Sequence, residues 1–146
     1  MKQYTLKTVR IGCVAESIGT AGDPDEAVAL LRAVFATLDG DREHFVVLAL
    51  DAKNAARGFK AVATGGMSAG CVDPKTVFRD ALALGAFALI VAHNHPSGDP
   101  MPSPEDKAVT KRLCEGGQLL GMPIRDHIVL GDAGRHFSFR REGLMF

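Results

Sequence analysis

The chain has 146 residues, a length that one hydrophobic core serves and that leaves little room for a second domain. Its 47% hydrophobic and 23% charged residues exclude the disordered class, and no apolar run approaches the roughly 20 residues of a membrane span. Seventeen basic residues balance seventeen acidic ones, so non-specific attraction to phosphate backbones is weak.

The start, MKQYTLKTVR, is too polar to lead a secretion signal, and the expected location is the cytoplasm. Residues 1–12 alternate loosely through Tyr4, Leu6, Val9 and Ile11, which suits an added edge strand or an arm over 1–22. Residues 23–146 then read as one domain. Asp23 caps and Pro24 opens a first helix, with Val28, Leu31, Phe35 and Leu38 at helical spacing and Gly40 as its stop. His44 to Asp51 (HFVVLALD) is a buried strand, KNAARG a turn, and Phe59 to Thr64 the returning strand of a hairpin. After the adaptable TGGMSAG loop, Asp73-Pro74 begins a second helix that runs through Val77, Ala81 and Leu84 to Gly85.

Phe87 to Ala92 (FALIVA) is a second buried strand that ends directly at His93. HNHPSGDPMP is a loop, and Ser103-Pro104 opens a third helix towards Leu120, weakened at Gly116 and Gly117 by roughly 1 kcal/mol each relative to alanine. A break at those glycines is expected. Ile124–Leu130 alternates, and His136–Arg140 makes a last short strand. This order gives an α/β or α+β sandwich around a central mixed sheet. Three cysteines (Cys13, Cys71, Cys114) without a CxxC pair suit a reducing compartment and three small buried side chains.

His93 and His95 stand two apart at a strand end, where extended backbone directs both to one side and two imidazoles can share a zinc ion. Asp106, at the third position of the next helix, is the natural third ligand, and three protein ligands leave a fourth position for water. The competing reading is that Asp106 completes a capping box with Ser103 and that the histidines are polar loop residues. Spacing alone leaves the two about even.

The pattern His93-x-His95, seven residues, Ser103, two residues, Asp106 resembles the JAMM motif of the JAB/MPN metallopeptidases. HNHPSGDPMPSPEDKAVTKRL, EHFVVLALDAKN, the DP-x-x-VF helix start and LLGMPIRDHIVLG resemble the RadC-like branch of that superfamily over residues 25 to 146. The resemblance implies an MPN/JAB (cytidine-deaminase-like) three-layer sandwich, a peptide or isopeptide hydrolase, and Zn2+ on His93, His95 and Asp106. It also implies a Ser103 hydroxyl that polarises the reacting group and a general-base glutamate on an earlier strand.

Six glutamates are available. Glu105 points about 100° away from Asp106 around the helix, and Glu26 has a structural reason to stand in a first turn. The resemblance places the acid/base at Glu43; its residues alone suggest an exposed strand-end carboxylate. His127, beside Asp126, either orients a ligand or is an ordinary buried histidine. His44 and His136 suit strand ends, while Asn94 and Ser97 suit turn chemistry. The contiguous HNH string is not the scattered HNH of nucleases, and Lys107, Lys111 and Arg112 read as a solvated helix face.

The expected partner is a peptide or protein substrate, with TGGMSAGC (64–71) a candidate groove border. A DNA-associated accessory role and a catalytically silent scaffold are the alternatives. The DNA role is weakened by the absence of the extra N-terminal helical region found in longer RadC-like proteins. No membrane partner is expected, and residues 3–11 offer an edge for a homodimer.

Overall fold

Local capping sets the three helices among the described residues. The computed structural model describes residues 1–5, 7, 19–65 and 71–146. Helix α1 spans Pro24–Phe35, α2 Pro74–Ala83 and α3 Pro104–Leu120, each opened by a proline behind an Asp or Ser cap. The Asp23 carboxylate accepts from Asp25 N and Glu26 N, and the Asp73 carboxylate from Lys75 N. Helix α1 ends earlier than the periodicity through Leu38 suggests. Thr37 bonds the Val34 carbonyl through both its amide and its hydroxyl, which tightens the last turn and closes the helix.

Strands β1 (His44–Leu50), β2 (Ala56–Thr64), β3 (Ala88–Asn94), β4 (Ile124–Leu130) and β5 (His136–Ser138) form a mixed sheet in the order β2-β1-β3-β4-β5. Among the described residues only the β3–β4 pair is parallel. The hairpin turn is shorter than KNAARG: Asp51 Oδ1 accepts from Lys53 N and Ala55 N, so Ala56-Arg57-Gly58 already belongs to β2. β3 runs two residues past Ala92 and takes in His93. β5 stops at Ser138, where Asp126 Oδ1 accepts from Arg140 N and draws the chain into a turn.

Alternation within the strands sorts the core into two layers. Leu48, Leu50, Ile90, Ala92, Ile128 and Leu130 pack on Ala27 and Leu31 of α1. Phe45, Val47, Leu89 and Val91 face Val77, Phe78, Val109 and Leu113 of α2 and α3 on the other side. The result is the expected three-layer sandwich. With both faces covered, β1 is buried along its whole length, which is why it reads as an unbroken apolar run.

Helix α3 does not break at its glycines. A Cβ on Gly116 would stand 2.8 Å from Phe78 Cε2, and one on Gly117 would stand 2.5 Å from the Met122 carbonyl oxygen. The chain doubles back there. Gly121 takes φ 66, and Met122 N–H bonds the Gly117 carbonyl. Close packing thus outweighs helix propensity at both positions. Gly117→Ala is expected to lose about 1–3 kcal/mol of stability by overpacking, despite the better helix former. Gly40→Ala, with open space around it, should stay within about 0.5 kcal/mol of wild type. Urea denaturation of the two variants checks both.

Residues 1–5 and 7 form no regular element, and the remainder of the expected 3–11 edge strand lies outside the described residues. So do Cys13 and residues 66–70 of the TGGMSAGC loop. Cys114 is buried as expected, whereas Cys71 is exposed, because it lies in the turn ahead of α2 rather than on an inward face. No helix among the described residues is long and apolar enough to cross a membrane.

Candidate metal centre

Strand register brings the site together. Phe45 lies opposite His93 in the antiparallel β1–β3 pair, so Glu43, two residues earlier, falls opposite His95. Asp106 arrives from the first turn of α3. Glu43, His93, His95 and Asp106 each direct one ligand atom into a group whose atoms lie within 4.8 Å of one another. His93 Nε2 is 3.0 Å from His95 Nε2 and 3.2 Å from Asp106 Oδ1, and His95 Nε2 is 3.3 Å from Asp106 Oδ2. Glu43 Oε1 stands further out, 3.9 Å from His95 Nε2.

Hydrogen bonding behind the rings assigns their tautomers. The Thr110 hydroxyl donates to the Asp106 carbonyl at 2.7 Å, so its oxygen accepts from His127 Nδ1 at 2.5 Å. His127 Nε2 is then an acceptor, and receives a hydrogen bond from His93 Nδ1–H at 2.8 Å. His93 Nε2 is left bare, facing Asp106. His95 Nδ1 donates to the Asp99 carbonyl at 2.8 Å, which bares its Nε2 as well.

Two bare nitrogens 3.0 Å apart repel unless a cation or a proton lies between them. In the metal-free protein His95 has its affinity for a proton increased. Its pKa is raised chiefly by the hydrogen bond to Asp106, against the opposing effect of burial. Burial likewise opposes ionisation of Asp106, yet the His93 and His95 rings that face it outweigh that and hold the carboxyl well below the usual carboxylate range. His127 is fully buried; desolvation, reinforced by His93, pushes its pKa well below the ordinary histidine value, so it stays neutral.

The donor set fits a divalent metal. Two neutral imidazoles and one carboxylate match the ligand chemistry of zinc, and a tetrahedral zinc with 2.0–2.2 Å bonds spaces its ligand atoms about 3.3–3.6 Å apart. The observed separations of 3.0, 3.2 and 3.3 Å, the last two to different oxygens of Asp106, lie at or just below the lower end of that spacing.

The loop that carries His95 is firmly held. His95 N–H bonds the Leu130 carbonyl, and the Gly98 carbonyl accepts from Asp132 N and Arg135 Nη2. Gly98 has φ 88 and lies against the Asp132 carboxylate, where a side chain would not fit.

Capping and metal-site geometry coexist at Asp106. Its Oδ2 accepts from Ser103 N at 2.8 Å while Ser103 Oγ accepts from Asp106 N at 3.1 Å, a complete capping box. Ser103 Oγ keeps its own proton to donate. Ser103 lines the open cleft with Glu43, His95, Pro96, Ser97, Glu105 and Asp106, a space of about 420 Å³. Lying outside the metal-ligand group are His44 and His136. The His44 ring bonds Thr64 Oγ1 and the Asp39 carbonyl at a strand end.

His127 does not line the cleft. It is sealed between His93 and Phe139, whose ring stacks on it at 4.8 Å. Thr110 went unrecognised in the sequence, where its one signal is its place one helical turn after Asp106. Thr110→Val preserves shape but deprives buried His127 of its acceptor. A loss of about 1–3 kcal/mol in denaturant unfolding is expected, and an unchanged midpoint would remove Thr110 from the network.

The family model of the RadC-like JAB domain matches residues 21–144. A UPF0758 protein of Methanosarcina mazei is 47% identical over 104 residues, covering 71% of this chain and 45% of that protein. One from Desulfitobacterium hafniense (strain DSM 10664 / DCB-2) is 43% identical over 105 residues, covering 72% and 46%. Another from Desulforudis audaxviator is 41% identical over 125 residues, covering 86% and 53%. The chain thus spans about half the length of these relatives.

Proposed function

The chain belongs to the RadC-like JAB domain family, and on that premise we propose that it is a zinc-dependent hydrolase of peptide or isopeptide bonds. The observation that carries this reading is the convergence of two bare imidazole nitrogens and an ionised carboxylate beside the outlying carboxylate of Glu43. The complete quartet favours an enzyme over a silent scaffold. The balanced charge of the chain gives a DNA-associated role no electrostatic support.

His93, His95 and Asp106 would hold the metal. When bound, zinc supplies Lewis acidity that acidifies water and polarises a carbonyl oxygen. Glu43 accepts the proton of the attacking water at Oε1 and returns it to the nitrogen of the leaving amine as the C–N bond breaks. Ser103 Oγ–H donates to the oxygen on which negative charge develops, since its lone pair already receives Asp106 N–H. Thr110 and His127 keep Nδ1 of His93 protonated and its Nε2 available.

Elemental analysis of the purified protein tests the ligand set, and initial rates on fluorogenic peptide and ε-linked isopeptide libraries test the reaction. About one zinc per chain, with hydrolysis abolished by a chelator and restored by zinc, is the expected result. A wild-type protein that takes up no divalent metal on reconstitution would overturn the proposal.

A further inference from the structure

Asn94 lies between the two histidines, and its side chain does something that its backbone cannot. The β1–β3 ladder ends at the Phe45–His93 pair. Beyond that pair the chain keeps its β4 partner, since Asn94 still pairs with Leu130 and His95 N–H bonds the Leu130 carbonyl, but its ladder with β1 has stopped. The peptide groups on either side of Glu43 would then lose their β3 partner. The Asn94 amide takes over: Oδ1 accepts from His44 N at 2.8 Å, and Nδ2 donates to the Arg42 carbonyl at 2.9 Å. One side chain thereby imitates the next peptide of the ladder and grips the chain both before and after Glu43.

A third bond, from Gly65 N to the Glu43 carbonyl at 2.8 Å, secures the same segment from the β2 side. Glu43 precedes β1 and follows the turn at 39–42, so these bonds fix where its backbone lies. A carboxylate on a free turn would sample many positions; here Oε1 is set 3.9 Å from His95 Nε2.

We propose that Asn94 is a positioning residue for Glu43, a two-handed clamp that holds the carboxylate over the histidine pair; this rests on the reading of Glu43 as general base. The chemistry demands asparagine. Aspartate accepts from His44 but has no donor for Arg42, serine has a single hydroxyl for two peptide groups, and glutamine carries an extra methylene.

The clamp is tested in the metal-free protein by NMR on wild type, Asn94→Ala and Asn94→Asp. In the wild type, the Glu43 methylenes should show a nuclear Overhauser contact to His95 Hε1. Asn94→Ala should lose that contact and exchange the His44 amide about fivefold to tenfold faster, as expected for one hydrogen bond lost. Asn94→Asp, which keeps the His44 bond, should retain slow exchange there and still weaken the Glu43 contact. The His93–His127 contact should persist in both variants, since a general loss of structure would erase it as well.

On any amide that the wild type hydrolyses, Asn94→Ala should lower kcat on the order of 10²-fold with KM and zinc content unchanged. In a Glu43→Gln background the same substitution should cost nothing further. A Glu43–His95 contact undiminished in Asn94→Ala would overturn the clamp. Failure of the wild type to bind zinc would instead count against the general-base reading and leave the structural result to decide the clamp alone.

Discussion

Glu43→Gln is expected to bind as much zinc as the wild type while hydrolysing its amide substrates about 10²–10⁴-fold more slowly. Geometry separates the two effects. The facing atoms of the three ligand residues lie 3.0–3.3 Å apart, with Asp106 turning Oδ1 to His93 and Oδ2 to His95, whereas Glu43 Oε1 is 3.9 Å from His95 Nε2. Removing its charge leaves the close set intact. Glutamine fills the same space and still offers a carbonyl oxygen, but it cannot carry a proton from water to the leaving amine. The loss corresponds to about 3–5 kcal/mol of transition-state stabilisation. Metal content by elemental analysis, set beside initial rates, distinguishes three outcomes. Full zinc with a collapsed rate supports the base. Full zinc with a normal rate removes Glu43 from the chemistry, and lost zinc makes it a ligand instead.

The parts of this protein legible in its sequence are those governed by neighbours in the chain. Asp23-Pro24, Asp73-Pro74 and Ser103-Pro104 announce the three helix starts because a cap and a fixed φ act within one turn. The unbroken apolar runs at 45–50 and 88–92 announce strands covered on both faces. Where long-range packing decides, the sequence misleads or is silent. Gly116 and Gly117 look like a helix break only when Phe78 and Met122 are not in view.

At the candidate site the same division holds. His93, His95 and Asp106 are spaced closely enough for a motif to reveal them. Thr110 serves a ring 17 positions away, and Asn94 a carbonyl 52 positions away, so neither role is visible before the sheet is assembled. Glu43 itself is placed by register with β3, a relation that its own surroundings in the chain do not encode.

Replacing Asp106 is the sharper test of the metal reading, because this residue has two structural identities. As a cap, its Oδ2 satisfies Ser103 N–H; as a donor, its carboxylate faces both bare imidazole nitrogens. Asp106→Ala removes both, and loss of the box should cost about 0.5–2 kcal/mol of stability even without metal. Asp106→Asn divides them, since its amide oxygen still accepts from Ser103 N but its neutral head is a poor ligand.

The expected result is that metal-free Asp106→Asn unfolds near the wild-type midpoint, whereas zinc stabilises only the wild type. Zinc at 100 times its dissociation constant should add about 2.7 kcal/mol to wild-type stability, and close to nothing to either variant. The affinity loss should exceed the 10–100-fold that changes behind a ligand produce. The carboxyl, held well below the usual carboxylate range, is already ionised at neutral pH, so no proton on Asp106 competes with the metal. Equal zinc stabilisation of wild type and Asp106→Asn would reduce Asp106 to a helix cap. Two histidines would then be left one short of the three protein ligands that a catalytic zinc keeps.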